Sequence, residues 1–290
     1  MLLKESRKKQ VFHLILSLKI LIDNLMLFKN KSILASFIIS ISIMYPGTTE
    51  RQSYIKGNES YNSTEINNYR LALQVSTFLY LQYGVDHHVS VNERSAPNQI
   101  DQYFRNQVKW SSSKMDNAAF ISDLLLYGAF IGTIPLVPYF SNYNYTKALK
   151  MSLNVISLNG IITNLVKTTV KRQRPDSFYK TRADTDDSFR SFYSGHTSTT
   201  FALGISNAIL LSEAYPEKKK LIWFTNLSLA TATGYLRIAG DKHYLSDVFC
   251  GGIVGYFLAK NVHRRTSIKE TTLGIRYYKK HPIINLSFSL

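Results

Sequence analysis

The chain has 290 residues, with 35 Lys and Arg against 19 Asp and Glu, and a formal net charge of +16. Hydrophobic residues make up 45% and aromatics 13% against 14 Gly and 7 Pro, which excludes a disordered or low-complexity chain and allows a substantial core. A single cysteine, Cys250, excludes an internal disulfide and a cysteine-based zinc site, and the basic excess calls for an anionic partner: nucleic acid, an anionic membrane surface or a phosphorylated substrate.

Val11 to Phe28 is apolar but interrupted by Lys19 and Asp23, short of the run of roughly 18 residues that a spanning helix needs. Ile33 to Met44 carries no charge, follows Lys29 and Lys31, and precedes Tyr45-Pro46-Gly47. If translation starts at Met26, this is a signal peptide or uncleaved anchor, although no clean cleavage site follows. Residues 1–50 are therefore expected to be a targeting or anchor segment. Residues 51–116 read as a polar linker and N-terminal helices, with amphipathic patterns over Arg70 to Tyr83 and Asp101 to Trp110. Asp86-His87-His88 reads as a polar turn rather than a metal site.

Five charge-free stretches follow: Leu124–Thr146, Met151–Val166, Thr197–Ser212, Leu221–Leu236 and Val248–Ala259. Their pattern predicts helices. Pro135 and Pro138 interrupt the first, and Asn154, Asn159 and Asn164 recur in the second, which suits helices packed in a bundle better than helices bathed in lipid. A mean hydropathy close to zero points the same way, with the short helices of a polytopic protein as the alternative. The stretch Pro175–Phe192, with Asp184, Asp186 and Asp187, reads as too polar for core. The tail changes period: Leu273, Ile275 and Tyr277, then Ile284, Leu286 and Phe288, alternate with other residues and predict a β-hairpin. The expected fold class is all-α, a helical bundle over residues 117–265, with a basic tail at 266–290 that carries the hairpin.

Three clusters carry chemistry. In the first, Lys167 to Pro175, seven residues at helical spacing return to within about 20° of the starting direction, so Lys167 and Arg174 are expected on one face with Lys171 between them. Pro175 disfavours helix at Arg174, whose fork can then turn toward an anion. In the second, Ser194 is a good N-cap before an apolar helix and Gly195 lets a backbone N–H approach a ligand. That is an anion site beside His196, which can donate a proton to a leaving oxygen. In the third, Arg237 precedes His243 and Asp247, which stand at i and i+4 and are expected as neighbours on the start of a helix. A carboxylate on one ring nitrogen fixes the tautomer and raises the nucleophilicity of the other. Taken singly these clusters also read as a solvated basic helix end, ordinary capping and a surface His–Asp pair.

In this order, Lys-x6-Arg-Pro, Ser-Gly-His and Arg-x5-His-x3-Asp resemble the type 2 phosphatidic acid phosphatase (PAP2) superfamily, which includes vanadium-dependent haloperoxidases. The resemblance covers about Asn117 to Val262. Tyr193 stands where the family has a proline, and Leu236 where it has a serine, which bears on efficiency and substrate preference more than on reaction type. The resemblance implies a helical bundle with its active site at one end. His243 would attack phosphorus to form a phosphohistidine, with Asp247 orienting its ring. His196 would protonate the leaving alkoxide and then activate water, while Lys167, Arg174, Ser194, Gly195 and Arg237 hold the phosphoryl oxygens.

No cofactor or metal is expected. The implied substrates are phosphorylated lipids (phosphatidic acid, phosphatidylglycerol phosphate, isoprenoid diphosphate or lipid A types) or small phosphomonoesters. The expected location is the membrane with the site facing the extracytoplasmic side, or export to the periplasm. The alternatives are a vanadate-dependent haloperoxidase and a catalytically weakened, basic lipid-binding member. Residues 1–50, 167–182 and 260–280 carry net +4, +5 and +6, so the rest is nearly neutral. That distribution excludes a nucleic-acid surface spread over the protein and suits an anionic membrane surface.

Overall fold

The computed structural model describes residues 68–85, 96–267, 272–278 and 281–287, with side chains to residue 264. The expected targeting segment, the linker as far as residue 67 and Asp86-His87-His88 lie outside the described residues. The body is all-helical. It comprises α1 (Asn68–Leu79, continued by a wide turn Tyr80–Gly84), α2 (Gln99–Val108), α3 (Met115–Ile131), α4 (Val137–Phe140), α5 (Tyr145–Val170), α6 (Pro175–Phe178), α7 (Gly195–Ala214), α8 (Lys219–Ala239) and α9 (Leu245–Ser267). Thr272–Tyr278 (β1) and His281–Ser287 (β2) pair antiparallel, with Ile275 opposite Ile284, as the alternation predicts.

Helix α7 is the axis of the bundle and packs against α9, α8, α5 and α3. It is apolar around most of its circumference because it is surrounded. The main core joins Val155 of α5, Ala202 and Ile205 of α7, and Leu258, Ala259 and Val262 of α9. The closest approach, between α7 and α9, depends on two glycines one helical turn apart. A Cβ on Gly251 would stand 2.7 Å from Ser194 O, and one on Gly255 would stand 2.2 Å from Ser198 O. No other residue leaves room for these backbones. That contact brings the start of α7 against the start of α9, where Ser194 N donates to Asp247 O at 3.0 Å.

The asparagines of α5 face inward, as expected for bundle helices. Asn159 Nδ2 donates to Thr199 Oγ1 at 3.0 Å, Asn164 Nδ2 donates to Gln82 Oε1 at 3.0 Å, and Gln74 of α1 donates to Asn154 Oδ1 at 2.9 Å. The outer faces are apolar instead. Phe120, Leu124, Tyr127 and Ile131 on α3, and Phe249, Ile253 and Phe257 on α9, are exposed and recur every three or four residues, so each set forms one stripe. By length and composition alone, the stretches Met115–Phe140 (α3 to α4) and Tyr145–Phe178 (α5 to α6) are long and apolar enough to cross a membrane.

Three expectations need correction. The stretch Leu124–Thr146 is not one helix: Ser141 caps the end of α4 in extended conformation, and Asn144, whose side chain accepts from Thr146 N, starts α5. Lys167, Lys171 and Arg174 do not share a helix face. Helix α5 ends at Val170, Lys171 adopts a left-handed conformation (φ 51°) as its cap, and the chain turns before Arg174. Pro175–Phe192 is excluded from the interior only in part: its Asp184, Asp186 and Asp187 are exposed as expected. Asp176, Ser177, Ser188, Arg190 and Ser191 are buried, and their polar groups are paired with one another and with the flanking loops.

Helix α2 is tied to the loop before α9 by a buried bidentate pair: Arg105 Nε and Nη2 donate to Asp241 Oδ1 and Oδ2 at 2.6 and 2.8 Å. Arg105 also lies 3.6 Å over the Tyr179 ring. Asp241 has φ 59°, a conformation that Asp tolerates better than Ala. Asp241→Ala is expected to destabilise the fold by about 3–5 kcal/mol, because it leaves a buried guanidinium without its counter-ion. A thermal melt of the purified variant measures this, and a melting temperature equal to that of the parent chain would refute it.

Candidate active site

Two connections and the start of a helix converge at one end of the bundle. The α5–α7 connection supplies Arg174 and Ser191, the start of α7 supplies His196, and the α8–α9 connection supplies His243 with Asp247 behind it. Arg174 is placed by Pro175, which starts α6 and keeps Arg174 extended (φ −71°, ψ 152°). Its Nη1 lies 3.3 Å from His243 Nε2. Arginine can only donate, so Nε2 is the acceptor and the ring proton of neutral His243 sits on Nδ1. Nε2 is therefore the unprotonated, nucleophilic nitrogen, and it faces a guanidinium.

His243 and Asp247 are brought together, but not as neighbours on a helix. Helix α9 begins at Leu245, so His243 lies in the loop before it and Asp247 in its first turn. Asp247 Oδ2 reaches back to accept from Tyr244 N at 2.9 Å, as a capping-box carboxylate does. This brings Oδ2 to 3.6 Å from His243 Nδ1. Ser191, which sequence reasoning missed, joins the two: its Oγ donates to Asp247 Oδ2 at 2.5 Å and stands 3.5 Å from His243 Nδ1. Burial, then the charges of Arg174, Arg237 and Lys167, holds His243 well below the ordinary histidine range. It is neutral at physiological pH, with Nε2 free to accept.

Helix α7 starts as expected. Ser194 is its buried N-cap and accepts from Thr197 Oγ1 at 2.9 Å. A Cβ on Gly195 would lie 3.6 Å from Lys167 Nζ, so the Gly195 backbone and the lysine address one point. His196 Nε2 is 2.7 Å from Asp123 Oδ1, and Arg237 Nη1 donates to the same oxygen at 3.2 Å. Burial and the Arg237 charge, opposed by Asp123, lower His196 to about 4.

Lys167, Arg174, Ser194, Gly195, His196, Arg237, His243 and Asp247 are thus gathered in one place, while Lys171 is exposed. Beyond Ser191, four partners escaped sequence reasoning. Arg172 Nη1 donates to Asp247 Oδ1 at 2.6 Å. Asp187 pairs with Arg174 and lies 3.4 Å from Arg190 Nε. Burial would raise the Asp187 carboxyl, but Arg174 and Lys167 hold it below the ordinary carboxylate range. Asp123 had a signal: it is the last charge before the apolar run from Leu124, and a carboxylate on such a helix needs a partner. Arg172, inside a basic cluster, had none that set it apart from Lys171.

Tyr193 and Leu236, the departures from the family pattern, are both accommodated. Tyr193 is buried and accepts from Thr163 Oγ1 at 3.2 Å, and Leu236 packs with Ala118 and Ala239. Among the described residues no group of three or more His, Cys, Asp or Glu could hold a metal ion. Instead the site presents buried cations around one nucleophile, an arrangement suited to binding an anion and attacking it.

A family model described as the PAP2 superfamily matches residues 148–269. Over 105 residues the chain is 32% identical to a lipid A 1-phosphatase of Porphyromonas gingivalis, covering 36% of this chain and 21% of that protein. It is 24% identical over 181 residues to lipid phosphate phosphatase 1 of Arabidopsis thaliana, covering 52% of this chain and 55% of that one. The chain thus spans about half or less of the length of these curated relatives. The crystal structure of a transmembrane PAP2-type phosphatidylglycerolphosphate phosphatase from Bacillus subtilis aligns with a TM-score of 0.48 at 20% identity, over 68% of this chain and 95% of that one.

Proposed function

Because the chain belongs to the PAP2 superfamily through residues 148–269, we propose that it is a metal-independent phosphatase of lipid phosphates that works through a phosphohistidine. The observation that carries this reading is the 3.3 Å approach of Arg174 Nη1 to His243 Nε2. A phosphoryl oxygen held by Arg174 puts phosphorus within reach of that nitrogen.

His243 Nε2 forms the P–N bond while the bond from phosphorus to the ester oxygen breaks; His196, protonated once the bound phosphate's negative charge offsets the Arg237 and Lys167 charges that lower it, gives that proton to the departing alkoxide. Neutral His196 then takes a proton from water, whose oxygen attacks phosphorus. The P–N bond breaks, and inorganic phosphate and free His243 are restored. Lys167, Arg174, Arg237 and the Gly195 N–H stabilise the charge on the equatorial oxygens, the task that metal ions perform in other phosphoryl-transfer sites. A divalent cation would meet repulsion from these side chains.

The outer surface supports lipid substrates. The exposed stripes of α3 and α9 and the two helices of membrane-spanning length suit a chain embedded in or lying on a bilayer. The lipid-named relatives agree. The substrate is a phosphomonoester or diphosphate on a lipid, with the site on the extracytoplasmic side. Residues 117–265 form the catalytic unit in this reading, preceded by the targeting segment and N-terminal helices.

The test is phosphate release by the purified full chain in EDTA, on phosphatidic acid, phosphatidylglycerol phosphate, an isoprenoid diphosphate and a soluble phosphomonoester. Activity on at least one lipid, inhibited by vanadate, is expected. No release from any of them, or peroxide-dependent halide oxidation once vanadate is added, would overturn the proposal.

Asp123 supplies a pH prediction. Its carboxylate raises the His196 pKa against the lowering by burial and Arg237. A general acid loses its proton, and its effect, as pH rises through its pKa in the substrate complex. Asp123→Asn is therefore expected to move the alkaline limb of the kcat profile to lower pH, by about one unit. An unmoved or upward-shifted limb would contradict this role.

A further inference from the structure

We propose that Arg172 and Asp101 are positioning residues of the reaction, forming a clamp from α2 that orients Asp247 and through it His243. The inference rests on the reading of His243 as nucleophile. Asp101 lies before the family-matched segment, outside the three clusters that carry the motif.

The two oxygens of Asp247 have separate tasks. Oδ2 serves the His243 side, accepting from Ser191 Oγ and Tyr244 N. Oδ1 is taken by Arg172 Nη1 at 2.6 Å. Rotating the carboxylate would break charge-assisted bonds at both ends, so its plane is set. Arg172 is itself immobilised: Nη2 donates to Asp101 Oδ2 at 2.6 Å, Nη1 also reaches Ser246 Oγ at 2.7 Å, and Cζ lies 4.3 Å over the Tyr244 ring. Asp101 in turn accepts from Ser246 N at 2.9 Å and Ser246 Oγ at 2.7 Å. The clamp therefore grips the residues on both sides of the turn from His243 into α9.

Charge makes the same point. Asp101 and Asp247 are fully buried and share one guanidinium, an arrangement that apolar packing could replace without loss of stability. Burial pushes the Asp247 carboxyl up and Arg172 opposes it. In the proposed reaction positive charge develops on the His243 ring as the P–N bond forms, and only an ionised Asp247 stabilises it. Arg172 favours that ionised form, and Asp101 holds Arg172 in line.

The experiment compares the parent chain with Arg172→Met, Arg172→Lys, Asp101→Asn and the Arg172→Met/Asp101→Asn double variant. It measures kcat, KM, vanadate inhibition, melting temperature and ¹⁵N-histidine spectra, with the His243 signal identified by its loss in His243→Ala. Arg172→Met is expected to lower kcat about 100-fold, with KM and vanadate inhibition within about threefold. Asp101→Asn should lower kcat about tenfold alone and add nothing in the Arg172→Met background, because it acts through that arginine. Arg172→Lys should recover part of the loss. His243 should be a single Nδ1–H tautomer in the parent chain and a mixture in Arg172→Met. Multiplying losses, unchanged kcat despite a lowered melting temperature, or an unaltered His243 spectrum would each overturn the clamp. A parent chain that releases no phosphate sinks the functional reading instead, and the histidine spectra still decide the clamp.

Discussion

His243→Ala is expected to lower phosphate release at least ~10⁴-fold, because it removes the atom that forms the covalent intermediate while leaving the cations of the site in place. Vanadate, a phosphate mimic, should still bind, since Lys167, Arg174, Arg237 and the Gly195 N–H remain. Arg174, relieved of its contact with His243 Nε2 at 3.3 Å, stays paired with Asp187. Rapid alkaline quenching of the parent chain during turnover should trap a phosphorylated, acid-labile enzyme that is missing from the variant. A variant retaining a tenth of parental activity, or a phosphoenzyme that survives the substitution, would assign the nucleophile elsewhere.

His196→Ala should separate substrates by leaving group. An alkoxide leaves poorly without a proton, so turnover of a lipid phosphate is expected to fall about 10³-fold, within the usual range for a positioned acid. A nitrophenolate leaves readily unprotonated, so the variant should still be phosphorylated by nitrophenyl phosphate. Hydrolysis of the intermediate then lacks its base. The expected trace is a burst of about one nitrophenolate per enzyme followed by slow release, with no burst from the lipid phosphate. Equal losses on both substrates without a burst would mean that His196 binds phosphate rather than moves protons. The 2.7 Å contact of its Nε2 with the Asp123 carboxylate suits a group that carries a proton.

Much of the site was legible because its groups stand at short spacing beside features that shape the backbone locally. Pro175 keeps Arg174 extended, Ser194 caps α7, and Asp247 lies four residues after His243. The helices were legible for a similar reason: uninterrupted apolar runs have few folded alternatives. What failed was the extrapolation of helical geometry beyond a helix end. Lys171 was expected to point with Lys167 and Arg174. Its left-handed conformation ends α5, turns it to solvent, and lets Arg172 enter in its place.

The partners that surround the site and its supporting loops come from afar. Asp101 meets Arg172 across 71 positions, Asp123 meets His196 across 73, and Arg105 meets Asp241 across 136. No periodicity or motif encodes such pairings, because they exist only once α2 and α3 have packed against the end of the bundle. The same packing gave the two ends of the polar stretch after Pro175 a buried place, since Asp176 and Arg190 arrive matched with partners. By itself, the amino-acid sequence predicted the helices, the resemblance to the PAP2 superfamily and the eight residues that the fold brings together, all consequences of local spacing and side-chain chemistry. Only the tertiary structure decided that Asp123 meets His196 and that Arg172 meets Asp247, because desolvation inside the bundle leaves each buried charge stable only beside the partner that packing brings to it.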